Sequence, residues 1–376
     1  MNYFSASIGA KHLYREVDPL PLGATMKIPL IVDEEDPKWV LLGQILNIFA
    51  SRRVKQQLAR QGLTPVPQAA LMCRILLIAL FFKQKLAYVL AELTHRPALR
   101  QFAHVATPPT PKQVASFLGR FTASQFLQVV LGVLNTVCAP RPRGRNTLLV
   151  DATEITVDLN WFRKKYTKRA LAARDYRWGF APSKGYYIGY KLTLVLAYPS
   201  LKPFCVFLHP GSPSDMNLYD DILGELRRRR VAHNGDLVVW DKGYCSYLNY
   251  LKGVTQYQII PGIFPKKNMA AEKILGQLAY PLPIFGEPQT KQKKMLYRRL
   301  KTGLKTFLGQ WKRYKGIRSR IEDFFKVGKG AFGWGRVHRY TARSAAKYIA
   351  LGVLLVGLGI HLRGTEKATL QRLAEW

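Results

Sequence analysis

Apolar residues in the first third of the chain recur at the three- and four-residue spacing of helices. Residues 1–35 lack this spacing and form an expected N-terminal arm, which ends in an acidic cluster before Pro37. Acidic side chains suit the start of a helix because they complement the helix dipole. Proline suits the first helical position because it has no N–H to leave unbonded there. The spacing then predicts helices over Trp39–Leu63, Gln68–Phe82, Lys85–Leu93, Pro97–His104 and Lys112–Val137. We therefore expect an all-helical domain over residues 36–140.

The pattern changes after residues 138–146, a segment rich in proline and arginine that we take as a domain boundary. Three strands, a helix and a further strand, followed by more helices, is the order of an RNase H-like fold, so the predicted fold class is α/β. A second domain is expected over 145–363, with a tail over 364–376. The strands are predicted over Thr147–Asp158, Tyr186–Tyr198, Phe204–His209, Leu237–Asp241 and Tyr257–Ile263, and the helix over Met216–Arg230.

An apolar run near the C-terminus, Tyr348–Ile360, is the longest in that part of the chain. It is short for a bilayer and interrupted by glycines, so we expect a buried helix rather than a membrane span. The four cysteines form no CxxC pair, and the opening residues lack the charged start and apolar core of a secretion signal. A reducing cytoplasm is therefore expected.

The chain is strongly basic, with 58 lysines and arginines against 23 acidic residues and a formal charge of +35. Most of this excess follows residue 140. It implies a polyanionic partner, because cations that neutralise phosphates release counterions and bind without regard to sequence. A ribosomal-type or membrane-surface protein is the alternative on charge alone.

Three acidic residues lie in patterns that would bring them to one point. Asp151 and Asp241 each close an apolar run predicted as a strand, and Glu322 lies in a basic stretch with helical spacing. Carboxylates are ligands that Mg²⁺ prefers, and two such ions activate one oxygen and stabilise another in phosphodiester cleavage. Each acid alone also has an ordinary role as a turn residue, helix cap or solvated side chain. Together they predict a metal-dependent phosphoryl-transfer site.

The stretch around Glu322 would place further side chains beside it. On one helix, an arc of roughly 80° would contain Tyr314, Arg318, Glu322 and Lys329. This face would present a stacking ring, a phosphate-binding fork, a metal ligand and a cation, although glycines in the stretch argue against an unbroken helix. His209, which ends the third predicted strand, is a further candidate for DNA or metal contact, with a satisfied histidine at the core edge as the alternative.

Two segments exceed a minimal fold of this class. The first, Leu159–Lys184, mixes basic and aromatic residues, which suits a nucleic-acid strand because phosphates need cations and bases offer stacking faces. A solvated loop with anchoring aromatics is the alternative. Its candidate DNA-binding residues are Arg163, Lys164, Lys165, Lys168 and Arg169. The second segment, 264–310, is an insertion between the last predicted strand and Glu322.

Five short segments between residues 145 and 363 combine into a recognisable pattern: Leu149–Thr153, Gly189–Leu192, Ser214-Asp215, Val239–Tyr244 and Arg318-x3-Glu322-x6-Lys329. With this combination, 145–363 resembles the DDE transposases of bacterial insertion sequences, in the branch whose third acid lies in a Tyr-Arg-Glu-Lys helix signature. Residues 36–140 resemble the helical DNA-binding domain of that family, and the insertion falls where this branch places a mainly β insertion.

The resemblance implies an RNase H-like catalytic domain that cleaves transposon ends and transfers the freed 3′-hydroxyl into target DNA. It implies that Asp151, Asp241 and Glu322 bind two Mg²⁺ ions, with Mn²⁺ as a substitute. Tyr314, Arg318 and Lys329 match the residues that hold DNA phosphates near a flipped base. A homodimer on DNA and a place in the nucleoid of a bacterium or archaeon are also expected.

Two features depart from that family pattern. Tyr314 and Arg318 have three intervening residues where the signature has two. No tryptophan between Ser246 and Gln310 matches the family's stacking tryptophan, for which the candidates are Trp311, Tyr280 and Phe285. Two other functions remain open at this point: a catalytically inactive DNA-binding regulator on the same fold, and a general RNase H-fold nuclease.

Overall fold

Short helices separated by capped breaks make up the first part of the fold. The computed structural model describes residues 29–138, 144–158, 176–181, 184–278, 290–339 and 341–376. The helices over 36–140 are α1 (Pro37–Ile48), α2 (Arg52–Arg60), α3 (Val66–Phe81), α4 (Leu86–His95), α5 (Pro97–Ala103), α6 (Pro111–Gly119) and α7 (Ala123–Val137). Every regular element that the structure describes in this part is a helix.

Two of the predicted helices are wrong as single elements, because each contains a capping residue. Trp39–Leu63 divides at Ser51, whose hydroxyl accepts from the N–H of Val54 and begins α2. Lys112–Val137 divides at Thr122, which forms a reciprocal capping box with Gln125 at the start of α7. Hydroxyl side chains at these positions satisfy N–H groups that a helix start leaves free.

One mixed sheet forms the second part. Its described strands are β1 (Thr147–Val157), β2 (Arg177–Ala181), β3 (Gly185–Tyr198), β4 (Pro203–Pro210), β5 (Leu237–Trp240), β6 (Ile260–Ile263) and β7 (Arg336–Val337). β3 lies antiparallel to β1 on one side and to β4 and β2 on the other. β5 lies parallel to β1, and β6 parallel to β5. This mixed α/β arrangement is consistent with an RNase H-like domain.

The first four predicted strands are confirmed, with shifts of at most one residue at their ends. The fifth is wrong over Tyr257–Ile259, because the N–H of Tyr257 still bonds to Lys252 at the end of a helix. β2 and β7 were not predicted. Both are short edge strands. β2 pairs with β3, which follows it directly in the chain, whereas β7 pairs with β1, far earlier in the sequence.

Helices cover the sheet and connect its strands. They are α8 (Asp215–Arg228), α9 (Tyr247–Thr255), α10 (Ala271–Gln277), α11 (Lys291–Gln310), α12 (Lys315–Phe332), α13 (Ala342–Arg363) and α14 (Lys367–Ala374). The helix predicted over Met216–Arg230 is confirmed as α8. Within the described part of 264–310, both elements are helices, so the mainly β character that the resemblance implied is wrong for these residues.

The helix α13 connects the two parts of the fold. It packs against α7, α1 and α3 on the helical side and against β4 on the sheet side. Its length and hydropathy would suit a membrane span, but 78% of its apolar window is buried inside the protein. The buried helix predicted over Tyr348–Ile360 is therefore confirmed.

The helix α12 runs without interruption through its glycines, contrary to the sequence expectation. A Cβ on Gly328 would lie 2.3 Å from the ring of Trp334, and a Cβ on Gly352 of α13 would lie 2.1 Å from the same indole. A Cβ on Gly330 would lie 2.1 Å from the carbonyl oxygen of Ala374 in α14. These glycines are positions of close packing between elements, and the packing outweighs their low helix propensity.

Candidate active site

Asp151 and Asp241 come together because their strands are parallel neighbours. The β1 and β5 register pairs Val150 with Trp240, so each aspartate is the next residue along its strand direction. The two aspartates therefore lie side by side at the C-terminal end of β5, although 89 residues lie between them in the chain. The interior of this region is apolar, since Leu149, Val150 and Trp240 are fully buried.

Arg318 on α12 joins these aspartates to Glu322. Its Nη2 lies 2.9 Å from Oδ2 of Asp151 and 3.5 Å from Oδ1 of Asp241. Its Nη1 donates a hydrogen bond to Oε1 of Glu322, one turn further along the same helix. The three acids predicted from the sequence therefore surround a single guanidinium. The Nε of Arg318 is buried and has no hydrogen-bond partner within the described part of the chain.

The electrostatics of this cluster depend on burial and on the close approach of like charges. Burial raises the pKa of Asp151 to about 7, the cation of Arg318 opposes that rise, and the negative charge of Asp241 adds to it. Burial alone would lower the pKa of Arg318, but the surrounding carboxylates more than offset it and raise the pKa. Even with Arg318 beside it, a carboxyl group of this pKa is only partly ionised near neutral pH, so a further cation would favour its charged form.

A family model described as Transposase DDE domain matches residues 142–357, more than half of the chain. The chain belongs to the DDE transposase family of insertion sequences. No curated protein and no solved structure matches it. The family acts on DNA and generally uses divalent metal ions, and its members are generally cytoplasmic.

In this transposase the acids, as arranged around Arg318, do not form a closed metal site. Among the residues that the structure describes, no group of three histidine, cysteine or acidic side chains is placed to hold one ion. The guanidinium lies between Asp151, Asp241 and Glu322 and provides the positive charge there. All three acids are hard oxygen donors of the type that Mg²⁺ binds, so their chemistry fits a divalent ion once the guanidinium moves.

Lys329 lies apart from the acid cluster, on the next turns of α12. Its Nζ is 2.7 Å from Oε1 of Glu154, and the same oxygen lies 3.2 Å from Nζ of Lys184. Burial opposes ionisation of Glu154, but the hydrogen bond and charge of Lys329, with the charge of Lys184, outweigh it and lower the pKa to about 2. Glu154 therefore positions Lys329, a pairing that the sequence left unspecified.

Tyr314 lies before α12 rather than on its face. It ends a turn of 3-10 helix, Trp311–Tyr314, and its ring packs 4.8 Å from that of Phe307 on α11. The expectation that Tyr314, Arg318, Glu322 and Lys329 share one helical arc is therefore wrong for Tyr314. The turn changes its direction, because a 3-10 helix has three residues per turn rather than 3.6.

A second polar group lies next to the segment that carries Asp241. Lys191 on β3 lies 2.7 Å from Oδ1 of Asp215 and donates to the carbonyl of Pro213. A Cβ on Gly243, two residues after Asp241, would lie 2.5 Å from the other oxygen of Asp215. Burial raises the pKa of Tyr244 well above its usual value, and the charges of Asp215 and Asp151 act in the same direction. Lys191, Asp215 and Gly243 each lie in one of the motif segments on which the family resemblance rests. That position in the motifs is the sequence signal that could have identified this group.

Two further sets of predicted residues have different outcomes. Arg163, Lys164, Lys165, Lys168 and Arg169 lie outside the described residues, and their DNA contact stays a prediction. His209 at the end of β4 lies beside Phe207, with the rings 6.2 Å apart and nearly parallel. Burial lowers its pKa, which favours a neutral ring packed at the core edge. Trp311, a candidate for the stacking role, packs against Phe264 and lies under the ammonium of Lys315.

Proposed function

We propose that this protein is an active transposase that cleaves DNA at transposon ends and transfers the freed 3′-hydroxyl into target DNA. The observation that carries the proposal is the convergence of Asp151, Asp241 and Glu322 on one guanidinium, from two strands and a helix far apart in sequence. An acid cluster of this kind at a sheet edge, in a chain of charge +35, suits phosphodiester chemistry. The same residues are the proposed ligands for two Mg²⁺ ions, with Mn²⁺ as a substitute.

The chain's own groups divide the work. Bound Mg²⁺ would activate the attacking oxygen and stabilise the leaving oxygen. Arg318 holds the carboxylates together in the absence of DNA, and its planar fork also matches a phosphate. In cleavage, a water oxygen forms a bond to phosphorus and the bond to the 3′-oxygen breaks. In transfer, the oxygen of that 3′-hydroxyl forms a bond to a phosphorus of the target strand. The bond from this phosphorus to the target 3′-oxygen breaks.

Further parts of the proposal concern the DNA. Lys329, Tyr314 and Arg318 would contact phosphates near the transposon end, as the Tyr-Arg-Glu-Lys branch would require. Residues 36–140 would bind DNA as a helical domain after an arm over 1–35, and the catalytic domain would span 145–363 with its insertion at 264–310. Two copies would pair two ends on DNA. The exposed basic residues of α11, which has no acidic residue, support contact with a polyanion.

The test is cleavage and strand transfer with purified protein on DNA that carries the element's terminal inverted repeats. Asp151→Asn, Asp241→Asn and Glu322→Gln should each reduce both rates by at least about 10³-fold, because each removes several kcal/mol of charge stabilisation. Asp323→Asn is the matched control, since Asp323 lies next to Glu322 but pairs with Arg320. Wild-type rates in any of the three variants would remove that residue from the site.

The same assay separates the proposal from its alternatives. A general nuclease would cleave duplexes without inverted repeats at a similar rate. An inactive regulator would bind the repeats and leave them intact in Mg²⁺ and in Mn²⁺. Cleavage confined to repeat ends, followed by joining to target DNA, is the outcome expected of the transposase.

A further inference from the structure

The hairpin of β2 and β3 carries an unusual concentration of exposed aromatic side chains. Trp178 is 55% exposed, Phe180 54% and Tyr186 70%. Trp178 and Phe180 alternate with the buried Gly179 and Ala181 along β2, and the register places Tyr186 opposite Phe180. Side chains at these positions share one face of the sheet. We call Trp178, Phe180 and Tyr186 the aromatic platform.

The platform is held firmly from behind. The rings of Phe180 and Tyr186 meet edge to face, with centroids 5.3 Å apart. Ser212 donates a hydrogen bond to the carbonyl of Phe180, and the hydroxyl of Tyr187 donates to the carbonyl of Gly211. A Cβ on Gly179 would lie 2.7 Å from the ring of Tyr187, so the strand lies directly on that ring. These contacts fix the rings without covering their outer faces.

Ion pairs and strand register relate the platform to the acid cluster. Lys184, in the hairpin turn, pairs with Glu154, which in turn pairs with Lys329 of α12. In the strand register, Trp178 lies opposite Ile188 and Asp151 lies opposite Leu194. Six residues of β3 therefore separate the two levels, about 20 Å along the strand. That distance corresponds to about six base pairs of duplex DNA.

The charge of the surroundings decides which partner fits the platform. Arg177 and Lys184 flank it, and the nearby acid, Glu154, is already paired with two lysines. A second copy of this chain would bring another +35 charge toward the same surface, which opposes association through it. DNA brings the complementary charge. Aromatic faces bind bases that are free of pairing, because each base then offers a face for stacking.

We propose that the aromatic platform binds unpaired bases of a single-stranded DNA segment, about 20 Å from the catalytic acids. The proposal rests on the proposed function, because it places an opened strand of the substrate on this surface during transposition. Stacking contributes sequence-tolerant affinity. The platform therefore holds a separated strand whatever its bases, while the acid cluster acts on the phosphodiester.

The experiment measures DNA binding by the full chain in chelator, so that no cleavage occurs. The probes are a mixed-sequence single-stranded oligonucleotide with 2-aminopurine near its centre and the duplex of the same sequence. Trp178→Ser, Phe180→Ser and Tyr186→Ser should each weaken single-strand binding about tenfold and relieve the quenching of 2-aminopurine. Duplex affinity should change less than about twofold, and the salt dependence should not change, because no cation is removed.

Two controls make the result specific. Trp178→Phe should retain most of the single-strand affinity, because it keeps an aromatic face. Tyr198→Ser, at the far end of β3, removes an exposed ring outside the platform and should leave binding unaltered. Thermal unfolding of every variant establishes that it is folded.

Three outcomes would overturn the proposal. One is equal loss of single-strand and duplex affinity, and another is wild-type single-strand binding by all three folded serine variants. The third is a change of oligomeric state by sedimentation with DNA affinity intact, which would assign the platform to contact between copies. None of these depends on cleavage, so the acid variants and the platform variants can fail independently.

Discussion

Nη2 of Arg318 lies 2.9 Å from Oδ2 of Asp151, although 167 positions separate the two residues in the chain. The contact joins α12 to β1 and brings Glu322 and Asp241 to the same cation. In a family that generally uses divalent metals, the guanidinium lies where positive charge is needed. Arg318 thus holds the three acids together, and we expect a phosphate that attracts the guanidinium to leave their oxygens open to another cation.

Arg318→Ala should destabilise the protein without metal by about 1–3 kcal/mol, because three carboxylates then lose their charged hydrogen-bond donor. Saturating Mg²⁺ should stabilise the variant more than it stabilises the wild type, since the ion binds the folded state at a vacated position. Urea unfolding with and without Mg²⁺ measures both effects. Arg320→Ala, which breaks the neighbouring pair with Asp323, should show no such gain. An equal response of all three proteins to Mg²⁺ would contradict the arrangement.

Gly243→Ala should reduce the cleavage rate about 100-fold, because displacements of about 1 Å near a catalytic group have effects of this size. The new Cβ would lie 2.5 Å from Oδ2 of Asp215, which Lys191 holds in place, so the strain passes to the turn after Asp241. Asp215→Ala removes the obstructing carboxylate. The double variant should therefore cleave no more slowly than Asp215→Ala alone. Additive losses in this double-mutant cycle would show that the two residues do not interact.

Glu154→Gln should make the stability of the protein less dependent on pH in the acidic range. The pKa of Glu154 in the folded protein is about 2, below the ordinary value of 4.5. A lowered carboxyl pKa contributes stability that is fully present above pH 4.5 and is lost as the pH falls from 4.5 through 2. As the pH is lowered from 7 to 3, Tm should fall less steeply in the variant than in the wild type. Glu225→Gln on the surface of α8 is the control, and identical slopes for Glu154→Gln and wild type would refute the prediction.

Gly328→Ala should lower the free energy of unfolding by about 1–3 kcal/mol through overpacking against the indole of Trp334. Gly316→Ala, near the start of the same helix, has open space around its Cβ position. It should raise stability by about 0.5–1 kcal/mol, because alanine has the higher helix propensity. Denaturant unfolding of the two variants gives the comparison. A gain in stability for Gly328→Ala would show that Trp334 moves aside without cost.

The sequence by itself determined the strands that carry Asp151 and Asp241, because apolar runs ending in an acid define a buried strand edge. It also determined the burial of the helix Ala342–Arg363, since an apolar stretch in a basic, globular chain has to be covered. The polyanionic partner followed from a charge of +35, which does not depend on the fold. Each of these properties is local or additive along the chain.

The tertiary structure alone decided which charged groups meet. Helical spacing placed Tyr314 and Lys329 beside Glu322, but a 3-10 turn directs Tyr314 onto Phe307, and Glu154 from β1 binds Lys329. The pairing of β2 with β3, and hence the aromatic platform, depends on register between chain segments. Periodicity identifies the face of an element. The residue opposite that face is set by strand register and by packing between elements, which no local pattern encodes.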